Sequence, residues 1–182
     1  GDVFVGNDAY TGGGTHLNDI VFLEPIFHGG KLVAWVTNLA HHSDFVDRGH
    51  DLIFQEGLRI PPVKLWERGK RREDVINFML TNMRARPYQE GDLNAQYGAC
   101  SVGERHLLEL LERYGLEQVR ACIAELKDMA DRHMRALLRD VPDGFYTGTA
   151  VLEDSGHGLG ELSITAQVEI RGDEAHILIE SP

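Results

Sequence analysis

Apolar residues in the first third of the chain come in short runs that are separated by glycine-rich turns. One run covers residues 3–5, and two more cover residues 20–27 and 32–36 on either side of a turn at 28–31. Short apolar runs bounded by turn residues are typical of β-strands. The pattern therefore predicts a strand followed by a β-hairpin.

The spacing of apolar residues changes after Glu73 to the three-and-four repeat of an amphipathic helix. It predicts one helix up to Pro87, a second from about Asp92 to Gly115, and a third over residues 116–138. Only a short break at Gly115 separates the last two segments. We therefore expect a helical hairpin in the middle of the chain.

The last part of the chain returns to alternating apolar and polar positions, which are typical of half-buried antiparallel strands. Strands are predicted over residues 144–152, 159–170 and 175–179. The fold class is therefore α+β, with an N-terminal β-hairpin region, a central helical hairpin and C-terminal antiparallel strands. We expect a metal-site β region at 1–66, a helical region at 67–140 and an antiparallel β region at 141–182, together forming part of one larger subunit.

The predicted hairpin brings candidate metal ligands together. His16 and Asp19 precede its first strand, and His41 and His42 follow its second strand, so antiparallel pairing places both groups at the same end. Adjacent residues on an extended strand point to opposite faces, so only one of His41 and His42 is expected to join the site. Two imidazoles and one carboxylate suit zinc, manganese or ferrous iron and leave a coordination position open.

Composition and charge exclude several other functions. The formal net charge of −11, from 29 acidic and 18 basic residues, disfavours binding to nucleic acid. The two cysteines lie in predicted helices, which favours a reducing compartment, and no apolar stretch is long enough to predict a membrane span or an export signal. We expect a cytoplasmic protein. Motifs for a serine nucleophile and for nucleotide phosphates are absent from the sequence.

Several ordered blocks of the sequence resemble signatures of the hydantoinase B/oxoprolinase family. They are, in chain order, GDVF at 1–4, ND at 7–8, GGTHLND at 13–19, AHH at 40–42, QEGLRIPPVKL at 55–65, GDLNAQ at 91–96 and ERYGL at 112–116. This family includes the B subunit of N-methylhydantoinase, the corresponding half of 5-oxoprolinase and, more distantly, a subunit of the acetone carboxylases.

The resemblance implies a reaction that is divided between two subunits of a hetero-oligomer. A companion A-type subunit or domain uses ATP and magnesium to phosphorylate the oxygen of a lactam or hydantoin, and the B part completes ring opening at a divalent metal, zinc, manganese or iron. The family's metal residues correspond to His16, Asp19 and His41 here. A further acidic ligand is expected upstream of Gly1, so we expect this piece to be inactive alone.

Three more residues are candidates for the chemistry. Asp44 or Glu56 could act as the general base on water. Arg59 could bind a phosphate or carboxylate through its planar guanidinium group, although a structural ion pair is an equal alternative.

The sequence leaves other functions possible, and it leaves the length of one loop unexplained. The alternatives are a ketone carboxylase subunit, a non-heme iron oxygenase and a non-catalytic structural region. Relatives carry a longer loop between His42 and Gln55, so this stretch is either a trimmed loop or a loop with residues omitted.

Overall fold

The computed structural model describes residues 1–12, 14–46, 52–154, 158 and 160–181. They fall into two compact units, Gly1–Gly115 and Leu116–Pro182. The order of strands, then helices, then strands confirms the predicted α+β class. The expected division into three regions stays a prediction. Among the described residues, no helix has the length and apolar content needed to cross a membrane.

An antiparallel sheet of five strands forms the base of the first unit. Its strands are β1 (Val3–Gly6), β2 (Asp19–His28), β3 (Lys31–His41), β4 (Val63–Glu67) and β5 (Lys70–Arg71). Their order across the sheet is β3-β2-β1-β4-β5, which leaves β3 at one edge of the described sheet.

The pairing of β2 with β3 confirms the predicted hairpin. Its turn consists of Gly29 and Gly30, whose φ angles of 57° and 74° are those of a tight hairpin turn. The segment that contains β4 and β5 was only partly predicted, because Pro61 and Pro62 indicated extended backbone but not a paired strand.

Two helices complete the first unit, α1 (Glu73–Thr81) and α2 (Arg86–Tyr114). The predicted start of α2 near Asp92 was wrong by one and a half turns, because Pro87 indicated the end of a helix. Pro87 instead lies in the first turn of α2. A helix needs no backbone N–H there, so proline is well tolerated at that position.

Within the described residues of the first unit, the helices pack against one face of the sheet, whereas Leu39 and His41 on the other, open face are exposed. Gln89, Leu93, Gln96 and Cys100 form the buried stripe of α2. Gly103 of the same helix lies so close to β3 that an added Cβ would be 2.8 Å from Cγ2 of Val36. The core contains Val3, Val5, Leu17, Ile20, Phe22, Leu65, Ile76, Met79 and Leu80.

The second unit consists of α3 (Leu116–Leu138) and three antiparallel strands, β6 (Gly144–Leu152), β7 (Leu162–Arg171) and β8 (Glu174–Glu180), in the order β6-β7-β8. These bounds agree closely with the sequence prediction. Asp173, in the β7–β8 turn, accepts hydrogen bonds from Arg139 at 2.6 Å and from Arg135 at 3.4 Å. The bond from Arg139 lowers the pKa of Asp173 and links the end of α3 to this turn.

Candidate metal centre

Asp19 and His41 are directly opposite each other in the β2–β3 ladder. Directly opposed residues of an antiparallel pair point to the same side of the sheet. His42, the next residue, is only 1% exposed and contacts Gln89 and Gln96 of α2, so His41 and Asp19 lie on the opposite, open face. The structure thus separates the two histidines as strand geometry predicted, with His41 on the side of Asp19.

His16 joins this pair from the loop before β2. Its ring is stacked on that of His41, with centroids 5.3 Å apart and an angle of 28° between the planes. Nδ1 of His16 lies 2.8 Å from Oε2 of Glu56, and the same oxygen accepts the backbone N–H of Leu17 at 3.0 Å. An ionised carboxylate only accepts hydrogen bonds, so in a neutral His16 this contact favours the tautomer that has its proton on Nδ1 and its lone pair on Nε2.

Gly14 allows the loop to pass close to the candidate carboxylate. A Cβ at this position would lie 2.7 Å from Cβ of Asp19, which is closer than non-bonded carbon atoms approach each other in proteins. The glycine therefore permits a contact between the loop and β2 that other residues would prevent. Gly13 lies outside the described residues.

Asn18 connects the ends of the hairpin to Asp44. Its backbone carbonyl accepts the N–H of His42 at 2.8 Å, and its side-chain amide donates to Oδ1 of Asp44 at 2.7 Å. Asn18 is buried, whereas Asp44 is exposed at the rim. The structure therefore brings Asp44 to the same end of the hairpin as His41.

A buried polar network holds His42 on the other side of the sheet. Its Nδ1 lies 2.6 Å from Oε1 of Gln89, and its Nε2 lies 2.8 Å from Oε1 of Gln96. The amide of Gln96 also donates to the carbonyl of Ile20 and to Oδ1 of Asn38, and the amide of Gln89 donates to the carbonyl of Ser43. Neither glutamine was predicted from the sequence as a site residue, although their spacing of seven residues places them on one helix face.

Arg59 lies in an ion pair with Asp8. Its Nη2 and Nε donate to Oδ1 of Asp8 at 2.9 and 3.2 Å, and its guanidinium group packs against the rings of Tyr10 and Phe54. Burial opposes ionisation of Asp8, but hydrogen bonds from Thr11, Arg59 and the Tyr10 amide outweigh it and lower its pKa. The structural alternative for Arg59 is therefore realised, and a role in binding an anion stays a prediction.

Glu24 is a buried acidic residue on the face of the sheet that packs against α2. Glu24 is 3% exposed, and its Oε2 has no hydrogen-bond partner among the described residues. Burial, together with the charge of Glu104, raises its pKa. Burial and Glu24 in turn raise the pKa of Cys100 to about 11, which leaves this thiol protonated and unsuited to act as a nucleophile at neutral pH.

The side-chain types of the candidate centre suit a divalent metal, but their arrangement in the described part of the structure does not yet form a binding site. Two imidazoles and a carboxylate on one face are a suitable set. Among the described residues, however, no three His, Cys, Asp or Glu side chains are arranged to hold an ion. His50 and the rest of residues 47–51 lie outside the described part of the chain, and these five residues belong to the loop whose length was questioned. The ligand assignment stays a prediction.

A model of the hydantoinase B/oxoprolinase family matches residues 1–180 of this sequence. The chain belongs to the hydantoinase B/oxoprolinase family. The resemblance that was found in the ordered sequence blocks is thereby confirmed. The matched range includes the whole first unit, the second unit up to Glu180, and all the candidate site residues.

Two members of the family are informative for comparison. The chain is 70% identical over 190 residues to caprolactamase subunit beta of Pseudomonas jessenii, an alignment that covers all of this chain and 32% of that subunit. It is 32% identical over 157 residues to the acetophenone carboxylase delta subunit of Aromatoleum aromaticum, which covers 80% of this chain and 22% of that subunit.

A solved structure from the family confirms the fold. The crystal structure of the ATP-dependent caprolactamase from Pseudomonas jessenii matches with a TM-score of 0.90 and 69% identity, over 100% of this chain and 32% of that chain. The chain thus spans about a third of the length of this relative.

Proposed function

We propose that this chain forms the metal-binding part of the B-type subunit of an ATP-dependent cyclic-amide hydrolase, with a lactam as substrate. The observation that carries the proposal is the 70% identity to caprolactamase subunit beta over the whole chain. The candidate centre adds chemical support, because His16, Asp19 and His41 come to one end of the β2–β3 hairpin.

The chemistry of an amide explains why the reaction would be divided between two subunits. Its carbonyl is a poor electrophile, and phosphorylation of the amide oxygen creates a good leaving group. The companion A-type subunit supplies ATP, magnesium and this activation, and the present chain supplies the site of hydrolysis. The designation of the caprolactamase relative as a beta subunit supports such a hetero-oligomer.

His16, Asp19 and His41 would hold the metal, with further ligands from the rest of the subunit. When bound, a divalent cation supplies Lewis-acid activation of water and of the polarised amide. Glu56 orients His16 by accepting a hydrogen bond from its Nδ1, which leaves Nε2 as the nitrogen that would bind the metal. Asp44 is the better candidate for the general base, because it is exposed at the rim, whereas Oε2 of Glu56 already accepts two hydrogen bonds.

The test uses the full-length subunit purified with its A-type partner. Lactam-dependent ATP hydrolysis, ring-opened product and metal content are measured for wild type, His16→Ala and His41→Ala. His28→Ala is the matched control, because this histidine lies at the opposite end of the same hairpin. We expect the first two variants to lose bound metal and ring opening, and the control to keep both.

The same assay separates the other functions. Product formation that requires bicarbonate and a ketone would indicate a carboxylase, which the similarity to the acetophenone carboxylase delta subunit makes the second candidate. Oxygen uptake that requires ferrous iron, without any effect of the partner subunit, would indicate an oxygenase. Unchanged metal content and turnover in both histidine variants would indicate a structural region.

A further inference from the structure

Val21 and Leu39 form the next pair on the same face as Asp19 and His41. They oppose each other in the ladder, and each is two residues along its strand from a candidate ligand. Two residues of an antiparallel strand span about 6.8 Å, and residues i and i+2 point to the same side. An apolar pair therefore lies immediately beside the candidate metal centre.

Backbone at Gly12 and Pro62 bounds one side of the Val21–Leu39 pair. Gly6 of β1 stands opposite Val21, so its missing side chain would point to the same face. An added Cβ at Gly6 would meet the carbonyl oxygen of Gly12 at 3.5 Å and Cα of Pro62 at 3.6 Å. Backbone atoms of Gly12 and Pro62 thus form a wall beside Val21, while Leu39 lies on the edge strand of the described sheet.

The two hairpin pairs next to the ligand pair on this face carry no charge, and three of their four side chains are apolar. Leu39 is 54% exposed, and the following pair on the same face is Leu23 with Thr37. Charged groups are concentrated at the end of the hairpin, at Asp19. A few polar groups beside an apolar surface are the usual composition of a site for a small organic ligand.

We propose that the Val21–Leu39 pair contacts the methylene groups of the lactam ring and thereby determines which ring sizes are accepted. This inference rests on the proposed function. When the amide group of the lactam lies at the Asp19–His41 pair, the rest of the ring extends along the strands. It then lies between the backbone of Gly12 and Pro62 on one side and Leu39 on the other. A larger ring covers more of Leu39, and a smaller ring leaves it in contact with water.

The experiment compares lactams with five-, six- and seven-membered rings, using the full-length subunit with its A-type partner and ATP. Leu39→Ala and Leu39→Phe are tested, and Leu32→Ala is the matched control. Leu32 lies on the same strand, is 45% exposed and pairs with Phe27 near the turn, far from the site.

We expect Leu39→Ala to lower kcat/KM for the seven-membered ring about tenfold, mainly through KM, with a smaller effect on the five-membered ring. Removal of contacts to one or two methylene groups has effects of this size. Leu39→Phe should shift the kcat/KM ratio toward the five-membered ring by about tenfold, because it fills space that the larger ring needs. Leu32→Ala should keep the wild-type ratio.

An equal change for all ring sizes in the Leu39 variants would overturn the inference and leave the proposed function standing. If such a change came with a lower Tm, the face would be covered by protein instead. Should Leu39→Phe fail to fold, the ring-size ratios of Leu39→Ala and Leu39→Val decide the question. A wild-type complex that opens no lactam in the presence of ATP would instead refute the proposed function itself.

Discussion

Glu56 accepts hydrogen bonds from Nδ1 of His16 and from the backbone N–H of Leu17 through one carboxylate oxygen. Forty positions separate Glu56 from His16 in the sequence, yet this contact orients the ring and favours the neutral tautomer that has its proton on Nδ1. Carboxylates that bind the second nitrogen of a metal-bound histidine commonly have this role.

Substitution of Glu56 distinguishes this orienting role from the role of general base. Glu56→Ala should reduce metal affinity about 10- to 100-fold, as is typical when such a carboxylate is removed. Glu56→Gln should retain most of the affinity, because the amide oxygen can accept the same two hydrogen bonds. Metal titration and turnover of the reconstituted complex provide the measurement. A loss of about 100-fold or more in kcat for Glu56→Gln, at full metal content, would identify Glu56 as the base.

The neighbours His41 and His42 should respond to substitution in opposite ways. His41 is exposed, so His41→Ala should change the free energy of unfolding by less than about 0.5 kcal/mol while abolishing ring opening. His42→Ala should destabilise the protein by about 1–3 kcal/mol, because it leaves buried oxygens of Gln89 and Gln96 without a partner. Thermal unfolding of the metal-free full-length subunit checks both values. A wild-type Tm for His42→Ala would show that the network contributes little.

Much of this arrangement could be predicted from local sequence patterns, and the remainder depends on distant contacts. The hairpin and the meeting of Asp19 with one of His41 and His42 followed from strand patterns on either side of a glycine turn, and the choice of His41 came from the family resemblance. The partners of His42 did not, because Pro87 placed the predicted start of α2 at Asp92 and left Gln89 outside the helix. Glu56 follows a 3-10 turn, which carries no periodic signal, so only the folded structure reveals its contact with His16.

Two glycines of α2 offer a test of how closely the helix packs on the sheet. Gly98→Ala should stabilise the protein by about 1 kcal/mol, because alanine favours helix and an added Cβ would meet no atom within 4 Å. Gly103→Ala should instead be destabilising by about 1 kcal/mol or more, because its Cβ would press against Val36 and overpacking outweighs helix propensity. Tm values of the full-length subunit give the comparison. The double variant Gly103→Ala with Val36→Ala should recover part of the loss.

Glu24 should make stability depend on pH. Its pKa in the folded protein is raised above the ordinary value of 4.5, so the folded state binds its proton more tightly than the unfolded state. The stability that this tighter proton binding contributes is fully present below the ordinary pKa of Glu24. It is lost as the pH rises through the raised pKa of the folded protein. Glu24→Gln should therefore stabilise the protein at pH 7, with a gain that decreases as the pH falls toward 4.

Unfolding measured across this pH range tests the prediction, with Glu109→Gln on the exposed side of α2 as the control. The Glu109 variant should show no such trend. A gain for Glu24→Gln that is equal at pH 4 and pH 7 would mean that packing, and not the buried charge, causes the difference.

The opposition of Asp19 and His41 makes the candidate centre a property of strand register. A slip of β3 by one residue against β2 would turn His42 to the open face and His41 to the helix, since side chains alternate along a strand. Insertions or deletions in the Gly29–Gly30 turn are therefore tolerable only when the loop absorbs them without moving the ladder. A single-residue deletion within β3 between the turn and His41 would place His42 opposite Asp19 and turn His41 toward α2, which would disable the site while the composition of the hairpin stayed almost the same.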